Sequence, residues 1–131
     1  MIVVTGATGH VGNTLVRELN KRGIKPRIVI HEPTAVMEAV RGLDYEEFKG
    51  DTTDADSLNR AFKGADIVYN CAAWISITPG MYEKLRRVNV DGVVNVLNAC
   101  KLNKVKRLVH VSSIEALGDP GEGVVATEEM G

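Results

Sequence analysis

Short apolar runs alternate with longer amphipathic stretches along the whole chain. Short continuous apolar runs predict buried β-strands. The third run is acidic, so we expect its strand to lie near the edge of the sheet. The five predicted strands cover residues 1–5, 26–31, 44–50, 65–73 and 106–113.

The stretches between these runs carry the signals of helices. Val11, Leu15, Val16 and Leu19 recur at helical spacing before Gly23, which is expected to end the first helix. A later stretch begins with capping residues and ends at a glycine, and the last helix is long, with a proline near its first turn. The predicted helices cover residues 11–23, 33–42, 51–64 and 79–103.

This order of elements predicts the fold class. Strands that alternate with helices of ten or more residues indicate a parallel sheet with helices on both faces, and right-handed crossovers make such a sheet doubly wound. The chain has no repeat, low-complexity segment or linker. We therefore expect a single α/β domain over residues 1–131, with about five strands and a weak pattern after Ser113.

The composition argues against several classes of protein. The 131 residues carry a net charge of −1, and 44% are hydrophobic and 25% charged, so we expect neither a nucleic-acid nor a membrane partner. No apolar run approaches the roughly 18 residues of a membrane span, and no basic region precedes the first strand, so we expect a cytoplasmic protein without a signal peptide. Cys71 and Cys100 fit no metal-binding spacing and are expected to be small buried residues.

The stretch TGATGHVG at residues 5–12 places three glycines between the first strand and the first helix. Such a turn lets a pyrophosphate approach the backbone, where N–H groups and the helix dipole hold its negative charge. Gly6 would permit the tight turn, Gly9 would leave room for the phosphates, and Gly12 would let the helix pack close to the strand. The alternative is a glycine-rich turn without a ligand.

The spacing TGxxGxxG resembles the cofactor loop of the extended short-chain dehydrogenase/reductases, the NAD-dependent epimerase/dehydratase superfamily. Four further segments are similar to motifs of that family in the same order: GDTTD, NCAA, RRVNVDGVVNVLNAC and KRLVHVSSIEALGD, at residues 50–54, 70–73, 86–100 and 106–119. The closest likeness is to dihydroflavonol 4-reductase-like proteins, 3β-hydroxysteroid dehydrogenase-like proteins and hopanoid-associated sugar epimerases. The resemblance implies a Rossmann-type fold truncated before the last strands of the family fold.

The resemblance implies a dinucleotide ligand and assigns residues to it. Asp51, at the end of the third strand, would accept a hydrogen bond from the adenine amine; alternatively, Asp51 or Thr52 would cap the next helix. The implied cofactor-binding residues are Gly6, Thr8, Gly9, His10, Val11, Gly12, His31, Asp51, Thr52, Cys71, Ala72 and Ala73.

His31 and Glu32 end the second strand, where the choice between NAD and NADP is made in this fold. The stretch IHEP resembles the VRDP of NADP-using reductases, with His31 in place of the arginine. A phosphate would help to keep the imidazole protonated, whereas Glu32 favours NAD. We expect NADP rather than NAD; alternatively, His31 is merely an exposed strand end.

The resemblance also assigns catalytic roles to Asn89 and Ser113. Asn89 matches a buried amide that supports a proton relay, although an asparagine within a helix usually turns outward. Ser113 matches the serine that hydrogen-bonds the substrate oxygen; alternatively, it merely finishes a strand. His110 is expected in the core, and Trp74 is either a wall of the substrate pocket or an ordinary loop aromatic.

The family's Tyr-x-x-x-Lys motif, which supplies the acid/base group, does not follow Ser113. Tyr45 and Lys49 have the bare spacing but precede the serine, so we do not assign them this role. We expect an inactive N-terminal part of an NAD(P)-dependent reductase or epimerase that acts on a small-molecule secondary alcohol or ketone. The alternatives are a non-catalytic NAD(P) sensor of the same superfamily and a fragment that binds nothing.

Two apolar surfaces predict self-association. The helix over 79–103 has more apolar positions than one buried stripe requires, and the resemblance implies that its second side forms a dimer interface. The strand over 106–113 would be a hydrophobic edge without a proline or an acidic residue. We expect a homodimer through the helix or the strand.

Overall fold

The computed structural model of the chain describes residues 1–31 and 35–129. Its sheet has five strands in the order β3-β2-β1-β4-β5, and every neighbouring pair is parallel. This confirms the predicted parallel α/β sheet, with the acidic third strand at one edge, in the strand order of a Rossmann half-fold and its continuation. The strands are β1 (Ile2–Thr5), β2 (Arg27–Ile30), β3 (Glu46–Lys49), β4 (Ile67–Asn70) and β5 (Arg107–His110).

The helices connect successive strands. α1 follows β1, α2 follows β3, and one continuous helical run between β4 and β5 comprises α3, a π-helical segment and α4. Short 3₁₀ segments follow β2 and β5. The bounds are α1 (His10–Lys21), α2 (Ala55–Ala61), α3 (Tyr82–Arg86), the π-helical segment (Arg87–Asp91), α4 (Gly92–Leu102) and the 3₁₀ segments Ala35–Val40 and Ile114–Leu117.

Three predicted helices differ in detail from the observed ones. The helix expected over 33–42 is a 3₁₀ segment in its described part, and Glu32 lies outside the described residues. The long helix begins at Tyr82 rather than at residue 79. α2 begins at Ala55 because Asp54 caps it, with its carboxylate accepting hydrogen bonds from the backbone N–H groups of the second and third helical residues.

The core lies on both faces of the sheet. Consecutive strand residues point to opposite faces, so Val3 packs with α2 and α4 while Val4 packs with α1. A fully buried side chain of this kind contributes about 1.5–3 kcal/mol. The side chains that complete the first layer include Val29, Leu58, Phe62, Val68, Val96 and Cys100, and those of the second include Val16, Leu19, Ile28, Ile30 and Val40.

An apolar stripe remains exposed on the outer side of the helical run. Val90, Val94 and Leu97 are one turn apart and 52%, 50% and 43% exposed. On β5, which is the second edge of the described sheet, Val109 is also exposed. Among residues 1–31 and 35–129, no helix has the length and apolar character that crossing a membrane requires.

Candidate functional site

The residues singled out by the sequence gather at the carboxyl ends of the parallel strands. This is the edge at which open α/β sheets bind ligands. The glycine loop follows β1, His31 follows β2, Asp51 follows β3, and Cys71 follows β4. Ser113 follows β5 at the same edge.

The glycine loop is packed against the backbone that follows β4. Gly6 has a φ of +66°, and a Cβ added to it would lie 2.5 Å from the backbone carbon of Cys71. A Cβ on Gly12 would lie 2.2 Å from the carbonyl oxygen of Gly6. The fold itself therefore requires glycine at both positions, because any side chain would collide with backbone.

Gly9 differs from its two neighbours in the motif. It is the N-cap of α1, with φ −80° and ψ 172°, an extended conformation that any residue adopts. A Cβ added there would approach one protein atom, the Gly6 carbonyl oxygen at 3.3 Å, among the described residues. The backbone of this loop does not itself demand glycine at position 9, and Gly9 is exposed.

The first turn of α1 presents backbone N–H groups without a side-chain acceptor. Among the described residues, no side chain caps α1 by a hydrogen bond, and its first turn contains no acidic residue. α2, in contrast, has a capping side chain, Asp54, and an acidic residue in its first turn, Asp56. The N-terminus of α1 thus keeps the partial positive charge that attracts an anion.

The other predicted residues of the loop and of the β4 end surround this turn. His10, Val11 and Ala73 are exposed, and Thr8, Cys71 and Ala72 are half-buried. Val11 therefore does not join the buried stripe of α1 that its spacing predicted. Cys71 is half-buried rather than buried, and this burial raises the pKa of its thiol.

His31 and Asp51 meet across the ends of β2 and β3. Nε2 of His31 lies 3.0 Å from Oδ2 of Asp51. The backbone N–H of Thr53 donates to the other carboxylate oxygen, Oδ1, at 2.8 Å. Asp51 and Thr52 were alternatives for the cap of α2, and this is wrong, because Asp54 is in the capping position.

Thr52 lies against the helical run rather than at the start of α2. Asn95 of α4 donates a hydrogen bond to the Thr52 carbonyl at 2.9 Å. A Cβ on Gly92 would lie 3.2 Å from the Thr52 hydroxyl oxygen, so the glycine allows the close approach. These contacts fix the end of β3 relative to α4.

Asn89 lies in the π-helical segment and binds the backbone of the loop after β4. Its Nδ2 donates to the Trp74 carbonyl at 2.8 Å, and its Oδ1 accepts the Trp74 N–H at 2.8 Å. The expectation of a buried amide is wrong, because Asn89 is exposed. Single-turn π-helical segments within α-helices are frequent at functional sites, and this one places the amide opposite Trp74.

Ser113 is the N-cap of the 3₁₀ segment after β5. Its hydroxyl accepts a hydrogen bond from the backbone N–H of Glu115 at 3.3 Å, and the residue is exposed. Ser113 lines an open cavity of about 490 Å³ together with Ser112, Ile114, Ala116, Leu117 and residues 126–128.

A polar chain that sequence reasoning missed crosses three strands at the same edge. The Thr5 hydroxyl hydrogen-bonds the side chain of Asn70, and Nδ2 of Asn70 lies 3.0 Å from Nδ1 of His110. Thr5 and Asn70 are buried. His110 was expected in the core, and this is wrong: it is exposed, because β5 forms the edge of the described sheet.

These features fit a dinucleotide. The open side of Gly9 and the uncapped turn of α1 suit a pyrophosphate. The ends of β2 and β3 supply an imidazole and a carboxylate, the groups that contact ribose, its 2′-phosphate or adenine in this kind of fold. Within the described part of the chain, no cluster of three or more metal-ligating side chains occurs.

Comparison with known proteins agrees with this geometry. The sequence profile of the NAD dependent epimerase/dehydratase family matches residues 2–130. Sterol demethylase protein B of Methylococcus capsulatus is 40% identical over 121 residues, which are 92% of this chain and 37% of that protein. Anthocyanidin reductase of Arabidopsis thaliana is 31% identical, over 96% of this chain and 40% of the reductase.

A solved structure shows the same fold with a dinucleotide. The crystal structure of a short-chain dehydrogenase/reductase superfamily protein from Agrobacterium tumefaciens, with bound NAD, superposes with a TM-score of 0.84 at 30% identity. The alignment covers 100% of this chain and 38% of that one. The chain thus spans about two fifths of the length of the relatives it matches.

Proposed function

Because this chain belongs to the NAD-dependent epimerase/dehydratase family, we propose that it is the NAD(P)-binding part of a reductase or epimerase. The substrate of the whole enzyme is a small molecule with a secondary alcohol or a ketone. Residues 1–131 form the Rossmann domain of this enzyme, and further residues complete its substrate site. The protein works in the cytoplasm.

Gly9 carries this proposal. Its extended backbone conformation suits any residue, and among the described residues an added Cβ would approach one protein atom, the Gly6 carbonyl oxygen at 3.3 Å. A pyrophosphate against the N–H groups of α1 needs the space beside Gly9, because a side chain there would hold the phosphates away from the backbone. The uncapped first turn of α1 supports the same ligand.

The two ends of the dinucleotide follow from the strand order. The adenine ribose would lie at the ends of β2 and β3, where Asp51 would accept from the adenine amine and His31 would contact the 2′-phosphate of NADP. The nicotinamide end lies toward β4 and β5, beside Ala73 and Ser113. We propose NADP as the preferred cofactor, because His31 lies at the end of β2, where NADP-using relatives of this fold carry an arginine.

The reaction residues act on the substrate side. The cofactor, when bound, supplies or accepts a hydride at the alcohol carbon. Ser113 donates a hydrogen bond to the substrate oxygen, and Asn89 holds the loop that carries Trp74 beside the substrate. The acid/base group is not among these residues, since no Tyr-x-x-x-Lys motif follows Ser113 within the 131 residues.

The exposed apolar stripe supports a homodimer. Val90, Val94 and Leu97 form a continuous ridge along the helical run, and exposed ridges of this kind mark association surfaces. We propose that two copies pack through this ridge or through β5.

The single tryptophan provides the test of cofactor binding. Trp74 lies just after β4, next to the proposed nicotinamide position. Titration with NADPH should quench its fluorescence saturably and transfer energy to the reduced nicotinamide, and NADH should bind more weakly. AMP, which lacks the nicotinamide, should cause no energy transfer. A chain whose tryptophan emission does not respond to either dinucleotide, with calorimetry also showing no heat of binding, would refute the proposal.

A further inference from the structure

Asp51 is held in place by contacts on each of its polar groups. Oδ1 accepts the Thr53 N–H at 2.8 Å. The Ser57 hydroxyl accepts the backbone N–H of Asp51 at 3.0 Å and lies 3.1 Å from its carbonyl oxygen. Ser57 is 4% exposed, so this support comes from the protein interior. The carboxylate is therefore positioned before any ligand binds.

His31 is the more exposed partner of the pair. Its side chain is 64% exposed, against 30% for Asp51. An ion pair between two exposed side chains is weak partly because both must be ordered. Here one partner is already fixed, so the contact requires the ordering of His31 alone. The imidazole reaches Oδ2, the carboxylate oxygen that Thr53 does not engage.

We propose that His31 and Asp51 act as one unit that sets the choice between NADP and NAD. This inference rests on the proposed function. The 2′-phosphate of NADP needs the imidazole as a hydrogen-bond donor and must take it from Asp51. The 2′-hydroxyl of NAD does not require the imidazole, so the contact between His31 and Asp51 stays intact when NAD binds. Asp51 thus weakens a preference for NADP that His31 alone would give.

The charge of Asp51 adds to this competition. A fixed carboxylate at the end of β3 repels a dianionic phosphate held at the end of β2. The same carboxylate accepts the adenine amine, which NADP and NAD share. A change at Asp51 that affects the adenine contact alters both affinities equally and cancels in their ratio. The repulsion of the phosphate does not cancel, but it acts whether or not His31 is present, so comparing the ratio with and without His31 isolates the competition.

A double-mutant cycle tests the coupling. The dissociation constants of NADPH and NADH are measured for the unmodified chain, Asp51→Asn, His31→Gln and the double variant. Asp51→Asn should raise the NADPH-to-NADH preference by about three- to five-fold, which corresponds to the upper range for an exposed ion pair. When His31→Gln is already present, Asp51→Asn should change the NADPH-to-NADH preference by less than half as much as it does in the unmodified chain. Asparagine keeps an oxygen for the Thr53 N–H, so the loop should fold as before.

A second measurement uses the unmodified protein. With ¹⁵N-labelled histidine, and the His31 signals assigned by their loss in His31→Gln, NADP⁺ should shift the imidazole nitrogens of His31 far more than NAD⁺ does. An equal effect of Asp51→Asn in both backgrounds, or equal shifts with both dinucleotides, would overturn the coupling while leaving dinucleotide binding intact. Failure of the unmodified chain to bind either dinucleotide would overturn the proposed function, and this inference with it.

Discussion

The side chain of Asn89 pairs with both polar backbone groups of Trp74, at 2.8 Å each. The two residues are separated by 15 positions in sequence, and the contact joins the π-helical segment to the loop after β4. The ammonium of Lys84 lies 4.2 Å from the centroid of the indole ring, a cation–π contact from the same helical run. The loop beside the proposed nicotinamide position is therefore held from one side by the helix.

Asn89→Ala should loosen this loop. Both hydrogen bonds are lost, and exposed bonds of this kind contribute about 1 kcal/mol to stability. The variant should lose about that amount in urea denaturation, and the emission of Trp74 should move to longer wavelength. Asn89→Asp keeps the hydrogen-bond acceptor but not the donor, so its stability should lie between those of the unmodified chain and Asn89→Ala. Asn98→Ala, an exposed asparagine of α4, is the matched control. Equal stability and emission in all four proteins would contradict the account of this contact.

Charges placed in the exposed ridge should prevent self-association. Val94 and Leu97 lie one turn apart on α4 and are half exposed. Sedimentation at micromolar concentration should show a dimer for the unmodified chain and a monomer for Val94→Lys/Leu97→Lys. Thr14→Lys, on the opposite side of the sheet, should remain dimeric. If Val94→Lys/Leu97→Lys remains dimeric and Val109→Lys is a monomer, the two copies pack through β5. If the unmodified chain is itself a monomer, the proposed dimer is refuted.

The two thiols should react slowly with a thiolate-selective reagent at pH 8. Burial raises the pKa of Cys71, and it raises that of Cys100 to about 11. Each thiol therefore stays protonated at a pH where an ordinary cysteine begins to ionise, and labelling should accelerate as the pH rises toward the raised pKa. Saturating NADPH should slow the reaction of Cys71 further, because its backbone abuts the glycine loop at Gly6.

The single-cysteine variants Cys71→Ala and Cys100→Ala separate the two rates. NADPH should leave the labelling rate of Cys100 unchanged, since that thiol lies on the buried side of α4, in the core on one face of the sheet. A Cys71 rate that is the same with and without bound NADPH would show that the dinucleotide does not lie beside the end of β4.

The 131-residue chain should bind a dinucleotide without turning it over. Proton transfer by a positioned acid/base group is typically worth roughly 10²- to 10⁴-fold in rate, and no tyrosine follows Ser113 in these residues. NADPH absorbance should stay constant with ketone substrates. Oxidation of NADPH that required both the protein and an intact Ser113 would contradict this prediction and would locate an acid/base group within residues 1–131.

The sequence was sufficient to predict a parallel sheet because its central strands β1, β2 and β4 are mostly buried. Strands covered on both faces form nearly continuous apolar runs, so the number of strands could be counted along the chain, whereas their order β3-β2-β1-β4-β5 comes from the folded sheet. The glycine loop could also be predicted from the sequence, because its three glycines lie within the eight consecutive residues from Thr5 to Gly12. Asp54 illustrates the limit of local reasoning: several polar residues precede α2, and only the folded turn selects the one that caps it.

The contacts of the candidate site depend on strand register, which local patterns do not specify. Thr5 is opposite Asn70, and Asn70 is opposite His110, so their polar chain exists only when three strands are aligned. The contact between His31 and Asp51 likewise follows from the pairing of β2 with β3. The hydrogen bonds of Asn89 with Trp74 also join the π-helical segment to a loop 15 positions away in sequence.

Gly9→Val gives the most direct test of dinucleotide binding at the glycine loop. Valine suits the extended backbone at this position, and its Cβ would lie 3.3 Å from the Gly6 carbonyl oxygen, which must shift by a few tenths of an ångström. Thermal unfolding therefore verifies the fold of the variant before the titration. Its branched side chain would occupy the proposed pyrophosphate position. Lys63→Val, an exposed residue at the opposite end of the sheet, is the matched control. In calorimetric titration, Gly9→Val should no longer bind NADPH, and Lys63→Val should bind it with the affinity of the unmodified chain. A folded Gly9→Val that binds NADPH as tightly as the unmodified chain would contradict it.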